Sequence, residues 1–371
     1  MTKTTYNMKS SIFITALILL FSQTINAQDF ERNRTIEKTY PIYENTEIQI
    51  SNKYGNVQVV NWEKDSVKFE IAIHVSGNKL SKVSGTFDNI DVDFSTNQYY
   101  VVANTNFKSE KNKIWSDISD LTSSILKGGN DTRIDYTVYL PEKTALKITN
   151  KFGNVFLTDR IAKTDLIISN GDLKANNFSG FLQLEFSNGN ASIKTINASR
   201  ILINYADLRV NSIDNLTLES KSSTFNCEQI KTIKLNSKRD KLYLGELNAI
   251  SGETSLSYVS IEKLHDHLFL ETAFGDLIIE EVSNEFEFMN INSGNTDISS
   301  TFEKNSFFKL DLIYTKKTQI SLPTIYKNLK DDYVNADKEE SHLTAISGDN
   351  PNVKAYVTIS QKSGSIKLIN R

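Results

Sequence analysis

The chain reads as all-β, wound as a right-handed parallel β-helix with units of about 18 residues, and three observations predict this. First, a short pattern centred on Gly-Asn or Gly-Asp returns along the chain at Gly55, Gly153, Gly171, Gly189, Gly275 and Gly294. Degenerate copies centre on Ala206, Ser223, Asp240 and Val259, and a last one on Gly364. Second, the columns five before, two after and four after the centre are each apolar in ten of eleven copies, against 39% for the chain. The exceptions are Thr254, Thr296 and Lys263. Third, the +1 column holds Asn, Asp, Thr, Lys or Ser throughout, and with +3 it sets polar positions in alternation with the apolar +2 and +4. The result is period two, the signature of half-buried strands.

Each unit therefore holds a strand before its centre and a strand after it, with glycine permitting positive φ at the turn. A further apolar column at +7 (Trp62, Phe178, Ile196, Ile213, Ile230, Leu247, Val282) predicts a third inward segment. Units this short leave no room for a helical crossover, so successive units stack in parallel with like residues in ladders. The right hand follows the general rule for β crossovers. The competing arrangement is a meander of antiparallel hairpins, but the columns repeat at the full period and not at half of it.

Four sections follow in order. Residues 1–27 have the form of a signal peptide: Lys3 and Lys9, an apolar stretch from Ile12 to Phe21, and Asn26-Ala27 before Gln28. Residues 28–140 form an irregular β-rich section, expected to cover the N-terminal end of the repeat. Its strand-like runs are Val67 to Val75, Ile90 to Phe94, Tyr99 to Ala103 and Ile134 to Leu140. Ile114, Ile118, Leu121 and Ile125 place a short amphipathic helix at 113–127. Residues 141–326 carry the regular repeat. Residues 327–371 hold a charged stretch, Lys327 to Asn350, expected as a solvated loop, and then the last unit.

Composition excludes several roles. Net charge is 42 − 45 = −3, and 40 − 45 = −5 without the two lysines of 1–27, so no basic footprint for nucleic acid exists. No segment of the mature chain is apolar enough to span a membrane. The lone Cys227 lies in the inward +4 column between Val210 and Leu244, as a small core residue.

Chemistry-bearing patterns are few. No nucleophile elbow, metalloprotease helix or phosphate loop occurs. The outward +3 column is mixed in charge and offers no run of carboxylates for glycoside cleavage. His265, Asp266 and His267 contain two metal-ligand types without an identifiable third ligand, so a solvated corner is expected there. Aromatic residues precede several centres: Tyr54, Phe152, Tyr205, Tyr258 and Phe274, with Tyr314 in an irregular unit. They could stack as a sugar-binding edge or simply stiffen corners. No catalytic residue and no cofactor is expected.

The segments ISNKYGNVQVVNW (50–62), YTVYLPEKTALKITNKFGNVFLTD (136–159) and VKAYVTISQKSGSIKLIN (353–370) together resemble the bacterial putative-adhesin family of exported β-strand repeats, common in Bacteroidetes. The resemblance covers nearly the whole mature chain. It implies a β-solenoid, a place in the cell envelope, periplasmic or at the surface, and no catalytic motif. The functional expectation is a non-enzymatic binding or scaffolding protein for a polysaccharide, the cell wall or an envelope protein. The alternatives are a carbohydrate-active β-helix enzyme and a structural or envelope-stress factor.

Overall fold

The computed structural model describes residues 29–108, 130–335, 339–349 and 353–371. The expected signal sequence (1–27) and the expected helix at 113–127 lie outside the described residues. Those residues are all-β apart from one helix, and their strands belong to a single long, unclosed, largely parallel sheet. Contacts divide the chain into two units. The described part of the smaller one comprises 29–33, 74–89 and 130–132. It contains α1 (Leu80–Asp88), whose Val83 and Phe87 are buried, with the Arg32 guanidinium 5.1 Å from the Phe87 ring. Leu80, Val83 and Phe87 recur at helical spacing, a signal too short to stand out among the β-patterned runs on either side.

The larger unit holds the repeat. β2 (Glu47–Lys53) and β3 (Val57–Asn61) flank Gly55, and β8 (Ala145–Lys151) and β9 (Val155–Leu157) flank Gly153. Then follow β10 (Thr164–Ser169), β11 (Leu173–Ser187), β12 (Asn190–Asn204), β13 (Asp207–Lys221), β14 (Thr224–Lys238) and β15 (Lys241–Val282). Every neighbouring pair among these is parallel and in register at the full repeat. Ile50, Ile148, Leu166, Leu184, Ile201, Leu218 and Leu235 form one continuous column. Val57, Val155, Leu173, Ala191, Leu208, Phe225 and Leu242 form a second. Phe178, Ile196, Ile213, Ile230 and Leu247 form the third. All are buried. Burial of each side chain contributes about 1.5–3 kcal/mol, which makes these ladders the main stabilising term.

Two centres move. Gly275 packs against the Ser257 carbonyl and the Asp240 N–H bonds Ser257 Oγ, so the unit assigned to Val259 is centred on Ser257. Gly275 also pairs with Thr296, so the next centre is Thr296 and not Gly294. Both slips are two residues, which period-two alternation cannot detect. With them corrected, the exceptions Thr296 and Lys263 leave their columns, and Val259 and Ile261 take the +2 and +4 positions. The −5 place falls to Gly252, stacked on Leu235.

Glycine's role also differs from expectation. The positive φ falls one residue earlier, at Tyr54, Phe152, Asn170, Asn188, Tyr205, Ser222, Arg239, Leu256 and Phe274, while at Gly275 (φ 138°) and Gly364 (φ 98°) the central glycine takes it as expected. Glycine is required instead by close approach: a Cβ on Gly153 would lie 1.9 Å from the Gly55 carbonyl oxygen, and one on Gly171 would lie 2.1 Å from that of Gly153.

The two ends are threaded out of sequence order. β3 lies between β9 and β7 (Asn130–Leu140), and β2 lies between β8 and β6 (Tyr100–Phe107). β6 in turn pairs antiparallel with β5 (Ile90–Thr96). Of the chain between Gly55 and Gly153, β6 and β7 thus return to the far side of the first unit. At the other end β22 (Tyr356–Gln361) lies between β16 (Phe288–Ser293) and β18 (Lys309–Thr315), and β23 (Gly364–Asn370) lies between β17 (Thr296–Phe302) and β19 (Thr318–Ser321). The charged stretch expected as a loop is largely a hairpin. β20 (Tyr326–Asn335) pairs antiparallel with β21 (Glu340–Ser347), and β21 pairs antiparallel with β18. Leu343 and Ala345 alternate inward on β21, while Lys327, Lys330, Asp331 and Asp332 keep the outer strand charged.

Candidate functional site

The turn edge is built by two devices. From Gly55 to Gly189 the centres are bare, and the +1 side chains carry the ladder outside. Asn56 Oδ1 accepts the Asn154 N–H (2.9 Å), Asn154 Oδ1 that of Asp172 (2.8 Å), and Asp172 Oδ1 that of Asn190 (2.9 Å). Asp135 opens the series by accepting the Asn56 N–H at 2.8 Å. From Ala206 to Ser257 the centre itself carries an inward side chain. Ser223 Oγ accepts the Ala206 N–H (3.2 Å), Asp240 Oδ1 that of Ser223 (2.8 Å), and Ser257 Oγ that of Asp240 (3.1 Å). Asp240 is buried, and its Oδ2 also accepts from Ser237 Oγ (2.6 Å) and the Lys238 N–H (2.9 Å). Each oxygen thus answers a buried N–H or hydroxyl, as such groups require.

Four of the five aromatic candidates sit in the positive-φ column, pointing off this edge. Tyr54 is buried and stacks on Phe152 (5.5 Å between centroids, 13° between planes), with Lys53 Nζ 4.8 Å from its ring centroid. Tyr205 and Phe274 are exposed, but Ser222, Arg239 and Leu256 stand between them. Four strand spacings make roughly 19 Å, so the edge offers no continuous platform. Tyr258 is displaced from this column by the register correction. It follows the Ser257 centre and meets Tyr243 at 5.8 Å. Tyr314 donates its hydroxyl to Asp331 at 2.7 Å.

The two histidines have separate partners. His265 Nε2 lies 3.6 Å from Glu246, while His267 Nδ1 lies 3.1 Å from Asp266. Among the described residues no group of three His, Cys, Asp or Glu side chains is placed to hold a metal. The His267 ring instead stacks on Phe288 (5.0 Å, 15°), and Phe288 stacks on Tyr356 (5.5 Å, 10°).

This stack belongs to an outward column that the sequence pattern did not single out. Phe181, Ala198, Asn215, Thr232 and Ala249 pair in succession, and His267 follows Ala249 by the same 18 residues that separate Gly275 from Ser257. Phe288 and Tyr356 continue it. Phe181 and His267 line one groove of about 410 Å³, floored by the small residues between them. It shares Thr217 and Lys234 with a neighbouring groove of about 530 Å³ that also takes in Arg200, Glu219, Glu253, Phe269 and Glu271. Arg200 pairs with Glu219 at 2.7 Å. A separate groove of about 550 Å³ lies over the strands after the turn, among Lys174, Ser192, Arg209, Asn226 and Tyr243.

One functional-looking group is structural. Arg160 occupies the +7 column, is fully buried, and donates to the Pro141 carbonyl (3.2 Å), the Thr144 carbonyl and Asn61 Oδ1 (3.3 Å). Burial lowers its pKa to about 10, against the raising effect of the Glu142 charge. It ties down the turn after the Leu140-Pro141 segment. A charge inside an otherwise apolar column had no counterpart in the repeat.

No family model and no curated protein matches this chain. Among solved structures it is similar to a putative adhesin from Parabacteroides distasonis (9% identity, 73% of this chain and 93% of that one, TM-score 0.36). It is also similar to a structure from the same organism described as a putative lipid binding protein (10%, 73% and 93%, TM-score 0.30) and to a putative adhesin from Bacteroides fragilis (11%, 91% and 97%, TM-score 0.26). At TM-scores this low, the likeness carries no argument for fold or role. No helix among the described residues is long and apolar enough to cross a membrane.

Proposed function

We propose that this chain is an exported, non-enzymatic, adhesin-like binding protein. Its parallel units wind as a right-handed β-solenoid, with residues 28–140 covering the N-terminal end, and its outward columns hold a polymeric partner in the periplasm or at the cell surface. The observation that carries this is the in-register groove from Phe181 to His267: a repeated backbone places equivalent side chains at regular intervals across several units. Such a surface suits a polymer with its own repeat, a polysaccharide before a compact protein. Export rests on the signal-like residues 1–27, and N-terminal sequencing of the secreted product should begin at Gln28. Purified protein immobilised on resin should deplete polysaccharide from an envelope extract and leave its chain length unchanged. Failure to retain any envelope component would sink the binding reading.

A second reading, a carbohydrate-active enzyme, has one observation in its favour: Glu253 and Glu271 line the same grooves. Paired carboxyls are the minimum for glycoside hydrolysis. A rise in reducing ends that disappears in Glu253→Gln would establish that reading; none is expected.

A further inference from the structure

We propose that the groove between Phe181 and His267 takes a single unbranched, uncharged glycan chain lying across the strands, parallel to the direction of stacking. This rests on the binding reading above and names the chemistry and the position of the ligand.

The first argument is the geometry of the rings. His267, Phe288 and Tyr356 lie nearly parallel at 5.0 and 5.5 Å, so they cover one another's faces along the column. Phe288 closes one face of His267. The other face is turned along the column toward Ala249 and the groove. At the far end Phe181 is 43% exposed. The open face of His267 at one end and the exposed Phe181 ring at the other bracket a floor of small side chains and offer apolar contacts to the sugar units at the two ends of the bound stretch. Phe181 and His267 are five strand spacings apart, roughly 24 Å, which accommodates several sugar residues in line.

The second argument is direction. The strands beneath the groove are central, and their N–H and C=O groups are already committed to neighbours on both sides. An extended peptide could add no backbone ladder here, and peptides bind sheets chiefly through that ladder at an edge. A chain crossing the strands must be recognised by side chains alone.

The third argument is charge. The groove's own lining carries a single lysine, Lys234, with His267 and no carboxylate; in the adjoining groove Glu253 and Glu271 stand beside that lysine, and Arg200 is matched by Glu219. The groove thus lacks the surplus of cations that a polyanion such as a uronate or nucleic acid would require. The floor itself presents an amide and a hydroxyl, Asn215 and Thr232, already joined at 2.8 Å.

The test is a calorimetric titration with length ladders of neutral oligosaccharides (β-glucan, xylan, mannan and α-glucan series). One series should bind with an affinity that climbs with chain length and then levels off. Phe181→Ala and His267→Ala should each weaken it roughly three- to tenfold. Thr232→Trp, which fills the floor from an exposed position, should abolish it while the melting temperature stays put. Tyr243→Ala, in the separate groove, should leave it unchanged. Binding that survives Thr232→Trp would overturn the proposed position. Preference for an anionic polymer, lost in salt, would overturn the proposed chemistry. If no ladder binds while the immobilised protein still retains an envelope component, this inference fails and the broader binding reading stands.

Discussion

The units centred on Gly55 to Gly189 and those centred on Ala206 to Ser257 occupy the same register and solve the same turn in opposite ways. In the first group the backbone closes on the preceding unit so tightly that no Cβ fits, and the N–H groups are caught from outside by the Asn or Asp of the unit before. In the second, the repeat is one residue shorter (206 − 189 = 17 against 189 − 171 = 18), but the residue is dropped at the register shift between Phe178 and Phe181, so the turn itself keeps its length. The N–H groups there are caught from inside by the Ser or Asp of the unit after. The ladder reverses direction while the apolar columns run on unbroken. What the repeat conserves is therefore the position of the turn and the satisfaction of its N–H groups, not a residue type.

The comparison predicts where the two regions respond alike and where they part. The largest effect should ignore the boundary. Leu173→Asp and Leu208→Asp bury a carboxyl in the same column on either side of it, and each should cost about 3–5 kcal/mol in denaturant unfolding. A cost confined to one region would break the claim of a continuous core. Next in size, Gly171→Ala should cost about 3 kcal/mol, because its Cβ meets backbone and not a movable side chain. The reverse change, Ala206→Gly, should cost only about 1 kcal/mol. Equal costs would mean that the two turns are not built differently.

Asp240→Ala strands the buried Ser223 N–H, the half-buried Lys238 N–H and the Ser237 hydroxyl, and is expected to cost about 2–4 kcal/mol. Asp172→Ala, on the outside ladder where water can substitute, should cost less than about 1 kcal/mol. Thermal melts of the two variants side by side would test that contrast. The smallest effect is at Cys227. Burial raises its thiol from an ordinary value near 9 to about 12. A raised pKa means stability that is intact below about 9 and is lost as pH climbs toward 12. The native protein should therefore resist a thiol reagent at pH 8 and react only on unfolding. Rapid labelling of the folded form would contradict the burial.

The apolar columns were plain in the sequence because inward burial imposes period two, and their spacing distinguished parallel stacking from hairpins. The centres at Val259 and Gly294 went astray for the same reason: a slip of two preserves every inward and outward assignment. The inward ladder through Ser223, Asp240 and Ser257 was hidden because polar residues at a turn look solvated until a neighbouring unit is placed over them. Arg160 was hidden because its partners, the Pro141 and Thr144 carbonyls, are backbone groups. Of the candidate surface, the histidine at 267 was noticed as a possible ligand, while its role as the end of a ring stack depends on Phe288 and Tyr356, far away in sequence. The edge aromatics were visible but are spaced too widely to act together.

The out-of-order threading bears on how the chain reaches this state. A later segment, β22 and β23, fills a slot between strands made well before it. Until it arrives, β16 and β18 have no common neighbour, and two rows of peptide groups stand open to one another or to any passing strand. Zippering can run freely through the middle units, where each new segment lands on the one just laid down, but it cannot finish the C-terminal end that way. Folding of that end must wait for β22 and β23 and is limited by a long-range docking event. A chain ending before β22 would keep its middle and lose its C-terminal end, with unguarded strand edges where the last segment belongs.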